Sequence, residues 1–494
     1  RLDHALDLGS SGSRDAPSRQ QTLRATIEWS HSLLDEREQR LFRRLAVFAG
    51  GCTVADAEAV CEARLDELES LVDKALVKAN GRLLMLETIR EYAREQLDAA
   101  TEADETALRH AARYAEVARE IRDGIEGTTQ VASVERGIAE DANLNIALDT
   151  LLARAQDGDA EACEAGMQFS GDLWMYWHVR GKNVTAHEYA SAFLAADRGR
   201  ASTVGRAGAL ATVGLGSWMV GEFERANEEW GEAHRIASDV GAGRELCMTA
   251  MAQGLAQLLL DLEAATRYTE ESIDESRARG FDWSLGFALT VNGIVRAASG
   301  DVETAQGRFA AALEIQERLG DREGAGMSFG GLAQLAAGRG DTAEALDLYR
   351  QSLASFEAVG DRGEEARILS EIAATHLASG DTALARRYFF ESVAAHTDVA
   401  SVRGVAMSLV GLAAVEAAEN RPERAAQIAA AADEHANEEG IVVAYSDETP
   451  GSELVEQARA ALSAEELARA TELGRRLTIE EALDLARPSR EALA

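Results

Sequence analysis

The feature that most restricts this chain is a repeat of forty residues. Gly-Asp pairs stand twenty apart at Gly300-Asp301, Gly320-Asp321, Gly340-Asp341, Gly360-Asp361 and Gly380-Asp381, and the two kinds of turn alternate. From Asp301, Ala305 follows after four residues, Phe309 after eight and Ala312 after eleven. The same steps lead from Asp341 to Ala345, Tyr349 and Ser352, from Asp381 to Ala385, Phe389 and Ser392, and from Asp261 to Ala265, Thr269 and Ser272. Glu222 leads to Ala226, Trp230 and Ala233, and Arg421 to Ala425, Ala429 and Ala432. Nineteen residues past the anchors stand Gly241, Gly280, Gly320, Gly360 and Gly440; Ala400 departs.

Each recurrence has a physical reason. Steps of four, eight and eleven keep to one helix face. Glycine ends a helix in a left-handed conformation that other residues resist. The aspartate behind it is placed to cap the next helix. Small residues let two helices approach closely, and the aromatic fills the remaining space. Eight residues before most anchors lies another small residue: Gly214, Gly293, Ala333, Ala373 and Ala413. The unit at Asp261 has Gln253-Gly254 there, a one-residue irregularity. A fixed period of this length predicts helix pairs that bury their apolar faces only by stacking on neighbours.

Composition agrees. The four prolines are at positions 17, 422, 450 and 488, so no helix interior between Ser18 and Arg421 loses a backbone donor. Aromatics are only 5% of residues, which excludes a β-sandwich or barrel. No run of about 18 apolar residues predicts a membrane span. Fifty basic against 85 acidic side chains give a net charge of −35, which excludes a broad nucleic-acid footprint. Cys52, Cys61, Cys163 and Cys247 are too few for a disulfide scaffold and lack metal-ligand spacing, which fits a reducing, cytoplasmic setting.

The repeat resembles the tetratricopeptide repeat (TPR) in its small first-helix residue, its Gly-Asp turn, and the alanine and aromatic of its second helix. Forty residues exceed the family's usual ~34, and the family's repeat-end proline is missing, which implies lengthened helices or loops. Six units are expected over 204–440. A divergent seventh resembles 163–200, turning at Arg180-Gly181-Lys182, and 104–155 reads as further helical pairs.

Residues 20–99 have another character. Asp35 is placed to cap the helix DEREQRLFRRLAVF, which Gly50-Gly51 stops, and Thr53 to cap TVADAEAVCEA. LDELESLVDKAL forms a further helix. Asn80-Gly81 between apolar runs predicts a β-hairpin, and ETIREYAREQLDAA a closing helix. Helices with one hairpin make a winged helix. The runs RQQTLRATIEWSHSLLDEREQRLFRRLAVFAGG (19–51), LVDKALV (71–77) and LLMLETIREYAREQL (83–97) closely resemble the actinobacterial NB-ARC or STAND-type ATPase regulators, LuxR-family and AfsR-like ones among them. Residues 453–486 resemble the terminal helices of such proteins.

The resemblance implies a winged helix between an upstream nucleotide-binding domain and a TPR sensor, with ATP or ADP and magnesium bound upstream. This chain carries no G-x-x-x-x-G-K-S/T phosphate loop, no recognisable terminal helix-turn-helix and no catalytic constellation, so neither enzyme activity nor a cofactor is expected of it. It reads as a piece of something longer. The expected organisation is a linker at 1–19, a winged helix at 20–100, divergent TPR-like helices at 101–203, six repeats at 204–440 and a helical cap at 441–494: an all-α, TPR-like superhelix behind a small winged-helix domain with one β-hairpin.

Placing the TPR family's inward positions on this chain gives Met175, His178, Trp218, Met219, Gln257, Ile294, Met327, Gln334, Met407 and Val410 as groove candidates for a protein, peptide or small-molecule inducer. The plainer reading is packing between neighbouring helices. The aromatic run GDLWMYWHVRG at 171–181 admits both readings, as a ligand platform or a buried seam. His178 and His187 have no cysteine or carboxylate constellation in the sequence, so no metal site is expected. Cys61 reads as a small buried hydrophobe. DNA binding through Leu65–Leu76 is disfavoured: residues 24–98 hold 11 basic and 15 acidic side chains, and that helix carries Asp66, Glu67, Glu69 and Asp73 against Lys74. The expected work is ligand or partner binding, relayed through the winged helix to an upstream ATPase and a transcriptional output. A constitutive scaffold, or the sensor of a cyclase or kinase, is the alternative.

Overall fold

In the computed structural model the described residues are 18–199, 201–258, 260–438 and 451–487. Most of the expected linker, Gly440 and all of 441–450 lie outside them. The chain divides into two compact units, the first from residues up to 123, 132–173 and 189–201, the second from 124–131, 174–188 and 202 onward.

The first unit opens with α1 (Ser18–Ser32), α2 (Glu36–Arg44), α3 (Val54–Cys61) and α4 (Leu65–Asp73). Both expected caps form. Asp35 accepts from the backbone of Arg37 and Glu38, Thr53 accepts from that of Asp56, and Glu38 and Asp56 reach back to close capping boxes. The hairpin is present, with β1 (Lys78–Ala79) antiparallel to β2 (Leu83–Leu84). Gly51, at φ 85°, bends the chain so that Cys52 pairs with Leu83; a Cβ there would stand 2.4 Å from the Leu83 carbonyl. α5 (Glu87–Ala99) follows, then α6 (Ala103–Ile125), α7 (Gln130–Gln156), α8 (Ala160–Val179) and α9 (Asn183–Ala196). The expected turn at Arg180-Gly181-Lys182 separates the last two, with Gly181 at φ 64°.

A buried polar network joins the hairpin region to α6 and α7. The Asn143 amide donates to the Gly51 carbonyl (2.9 Å), and its oxygen accepts from the Ala49 N–H (2.8 Å). Glu140 is ion-paired with Arg82 and accepts from the Tyr114 hydroxyl at 2.9 Å. These groups satisfy the chain where Gly50-Gly51 interrupts the helices, so that little buried backbone is left unpaired there.

The second unit is a stack of helix pairs: α10 (Val204–Met219) with α11 (Phe223–Val240), α12 (Gly243–Gln257) with α13 (Leu262–Arg279), α14 (Asp282–Ala298) with α15 (Val302–Leu319), α16 (Arg322–Gly338) with α17 (Thr342–Val359), α18 (Arg362–Ala378) with α19 (Thr382–Asp398), and α20 (Val402–Ala418) with α21 (Pro422–Glu438). α22 (Ser452–Ala460), α23 (Ala464–Gly474) and α24 (Ile479–Ala486) pack on the last pair. The long period comes from long helices: α16 has 17 residues and α17 has 18, joined by tight turns.

The small and aromatic positions do what their spacing predicts. Ala226, Ala265, Ala305, Ala345, Ala385 and Ala425 are all fully buried. Phe309 lies between Gly293 and Gly331, where a Cβ would come within 2.7 Å and 2.4 Å of its ring. The irregular unit is repaired locally. Gly254 makes room for the Thr269 methyl, and the Thr269 hydroxyl accepts from Asn292 Nδ2 at 2.8 Å. Serines eleven past the anchors hold pairs together: Ser272, Ser352 and Ser392 donate to the carbonyls of Cys247, Gly326 and Ala366 at 2.7–2.8 Å.

Capping follows expectation at Asp261, Asp301, Asp321, Asp361 and Asp381, each accepting from a first-turn N–H. Asp341 departs: its carboxylate pairs with Arg339 Nε at 3.1 Å and makes no cap. Gly241, Gly280, Gly320 and Gly360 are left-handed C-caps, and Ala400 takes the same conformation at φ 53°.

Candidate ligand groove and buried acidic cluster

First helices of successive pairs also touch one another, α10 with α12, α12 with α14, α14 with α16 and α18 with α20. Contact along the first helices, in addition to contact within pairs, makes them the inner wall of the stack. The groove candidates fall into three groups on this scaffold. Val410 is fully buried in the core shared by α18–α21, and Met175 is buried too, so these two are packing residues rather than groove lining. Trp218, Gln257, Ile294, Met327 and Met407 are half-buried. Trp218 stacks edge-on against Phe223, Met327 packs on the core around Tyr349, and Gln257 donates to Asn227 Oδ1. Met219 and Gln334 are exposed. Within the aromatic run, Tyr176 and Trp177 are buried, while half-buried Trp174 meets Trp283 of α14 edge-on at 6.3 Å between centroids.

His178 is the candidate whose setting the sequence concealed. It stands in the last turn of α8, beside Glu323 in the first turn of α16 and Asp361, the N-cap of α18. One ligand atom from each lies within 4.8 Å of the others. The inference that no carboxylate constellation accompanies His178 is therefore corrected: partners 145 and 183 residues away along the chain come together only on folding.

The burial of this cluster is severe. Glu323 is 1% and Asp361 3% exposed, yet both Glu323 oxygens, Asp361 Oδ2 and His178 Nδ1 have no hydrogen-bond partner. Buried charge without a partner is costly. Burial accordingly pushes the Glu323 carboxyl well above its usual range, with the negative charges of Asp361, Glu364 and Asp321 adding to the shift. Burial also raises Asp361 to about 6, against the pull of His178. Asp321, on the same turn, is raised to about 6 by burial despite bonds from the Gly324 N–H and Gln130 Nε2 (2.7 Å). Gln130 also accepts from the N–H groups of Arg322 and Glu323, closing the start of α16. Burial alone would raise Glu364 as well, but Arg367, 2.6 Å away, outweighs it and holds that carboxyl low.

Other candidates are quiet. All four cysteines are free and buried, and burial pushes the Cys61 thiol far up, which makes it unreactive. On α4, Asp66, Glu69 and Asp73 are exposed, while Lys74 turns inward to Glu38 at 2.6 Å. No helix among the described residues is long and apolar enough to cross a membrane.

Residues 287–358, from α14 to α17, match the tetratricopeptide repeat family, which makes this stretch a TPR region. Over 340 residues the chain is 33% identical to a protein of Mycobacterium tuberculosis named "Putative HTH-type transcriptional regulator", covering 65% of this chain and 38% of that relative. An uncharacterized protein of Mycobacterium bovis is 36% identical over 137 residues, 25% of this chain and 34% of its own length. The chain thus spans well under half the length of these curated relatives. Among solved structures, a STAND protein with a tetratricopeptide repeat sensor from Pyrococcus horikoshii aligns over 94% of this chain and 68% of its own, at 13% identity and a TM-score of 0.48. A Rap protein complexed with competence and sporulation factor covers 70% of this chain and 94% of its own, at 13% identity and a TM-score of 0.43. At those scores the fold assignment rests on the helix pairs themselves and on the family match.

Proposed function

We propose that this chain is the non-catalytic sensor and interaction region of a STAND-type ATPase regulator of transcription. The carrying observation is the inner wall of first helices in a chain a third identical, over 340 residues, to an HTH-named regulator. A ligand or partner held there biases the packing of the repeats. Residues 20–100, as a winged helix of the LuxR-family and AfsR-like kind, pass that bias to an upstream nucleotide-binding domain. The exposed acids of α4 support an intramolecular role for that module over DNA contact. Linkage requires reciprocity, so calorimetry on the full-length regulator is expected to show ligand affinity changing with bound nucleotide, and nucleotide affinity changing with ligand by the same factor. Equal affinities in every nucleotide state would overturn the relay.

The net charge of −35 favours a second reading, a constitutive scaffold for basic partners. Pull-down at low and high salt separates the two, because a charge-driven scaffold releases its partner as screening rises.

A further inference from the structure

We propose that His178, Glu323 and Asp361 form a binding site for a divalent transition-metal ion of the zinc or manganese type, with at least one coordination position open to a ligand. The proposal stands on geometry and on unpaired atoms, and it holds whether or not the repeats serve as a sensor. An imidazole nitrogen and two carboxylate oxygens converge to within 4.8 Å of one another. Ligand atoms ~2.0–2.2 Å from one ion at tetrahedral angles stand about 3.3–3.6 Å apart, so side-chain movement of up to about an ångström closes the shell. Glu323, 1% exposed, has neither oxygen hydrogen-bonded, and Asp361 Oδ2 and His178 Nδ1 are likewise unpaired. Four carboxylates gather here, on Asp321, Glu323, Asp361 and Glu364, and Arg367 is the guanidinium paired among them. A divalent cation supplies the missing positive charge where water is scarce. The mix of one nitrogen and two oxygens suits zinc or manganese better than calcium, which takes six to eight oxygens.

Such an ion would fasten the end of α8 to the starts of α16 and α18, three elements far apart in sequence. Metal binding of that kind stabilises the folded state by mass action. Its open position would accept a carboxylate, imidazole or thiolate from whatever enters.

The test is calorimetric titration of the chelator-treated 494-residue chain with zinc and with manganese chloride, alongside thermal melts. One equivalent is expected to bind and to raise the melting temperature. His178→Ala, Glu323→Gln and Asp361→Asn are each expected to weaken binding at least tenfold and to abolish the rise. Cobalt(II) gives an independent readout, in visible bands expected to disappear in His178→Ala. Glu323→Gln keeps the shape of the buried side chain, so it should melt no lower than the metal-free parent. Should it fail to fold, His178→Ala carries the test alone. Absence of a one-equivalent site overturns the proposal. So does unchanged binding in His178→Ala, which would assign the ions to surface carboxylates.

Discussion

At the scale of single residues, backbone conformation dominates the turns. Gly320 sits at φ 69° with nothing near its Cα that a methyl group would strike, so Gly320→Ala isolates the conformational cost. That variant is expected to lose about 1 kcal/mol in denaturant unfolding. Ala400 already bears that cost at φ 53°, and Ala400→Gly is expected to gain about 0.5–1 kcal/mol. A loss of stability in Ala400→Gly would mean that entropy in the unfolded chain outweighs strain relief. The turn glycines were legible because their conformation is local. His110 was not. It is fully buried on α6, with Nε2 3.4 Å from Asn143 Oδ1, and burial lowers its pKa to about 4. The unfolded chain therefore binds a proton that the folded one refuses, and stability drops as pH falls from ~6.5 towards ~4, by at most about 3 kcal/mol from this group. Unfolding free energies of wild type and His110→Leu should converge above pH 7 in slope and diverge below 6.5, with wild type falling faster.

At the scale of elements, the pairing rule is small against large. Phe309 fills the gap between Gly293 and Gly331, so Phe309→Ala is expected to cost about 3–5 kcal/mol in chemical denaturation. Gly331→Ala is the converse case, with a Cβ 2.4 Å from the ring, and should cost about 1–3 kcal/mol through overpacking. If Gly331→Ala melts with wild type, the ring has room to turn and the fit is looser than the distances say. Helix existence and most caps were readable, since Asp301 or Thr53 needs only its own first turn. Asp341 misled because a side chain two residues earlier, Arg339, competes for the same carboxylate. Likewise Gln253-Gly254 reads as an irregularity in the repeat until Gly254 makes room for the Thr269 methyl and Asn292 arrives from the next helix to pair with the Thr269 hydroxyl.

At the scale of the whole molecule, polar contacts between distant segments organise each unit. In the first, Asn143 serves Ala49 and Gly51 together, and Asn143→Leu leaves the Ala49 N–H unpaired at about 1–3 kcal/mol, while the Gly51 carbonyl keeps its bond from Arg82. In the second, buried Arg386 of α19 meets Glu416 and the Ala486 carbonyl, fastening α24 to the last repeats. The forty-residue period, the helical class, the hairpin and the turn glycines followed from sequence alone, because each depends on neighbours within a few residues or on a strictly repeated spacing. Which inward positions stay open was decided only by tertiary packing: Val410 and Met175 were taken into the core, Met219 and Gln334 left outside. The meeting of His178 with Glu323 and Asp361 belongs to the same class. A side chain's partners across helices depend on how many turns the stack has made before it reaches them, and no local pattern encodes that sum.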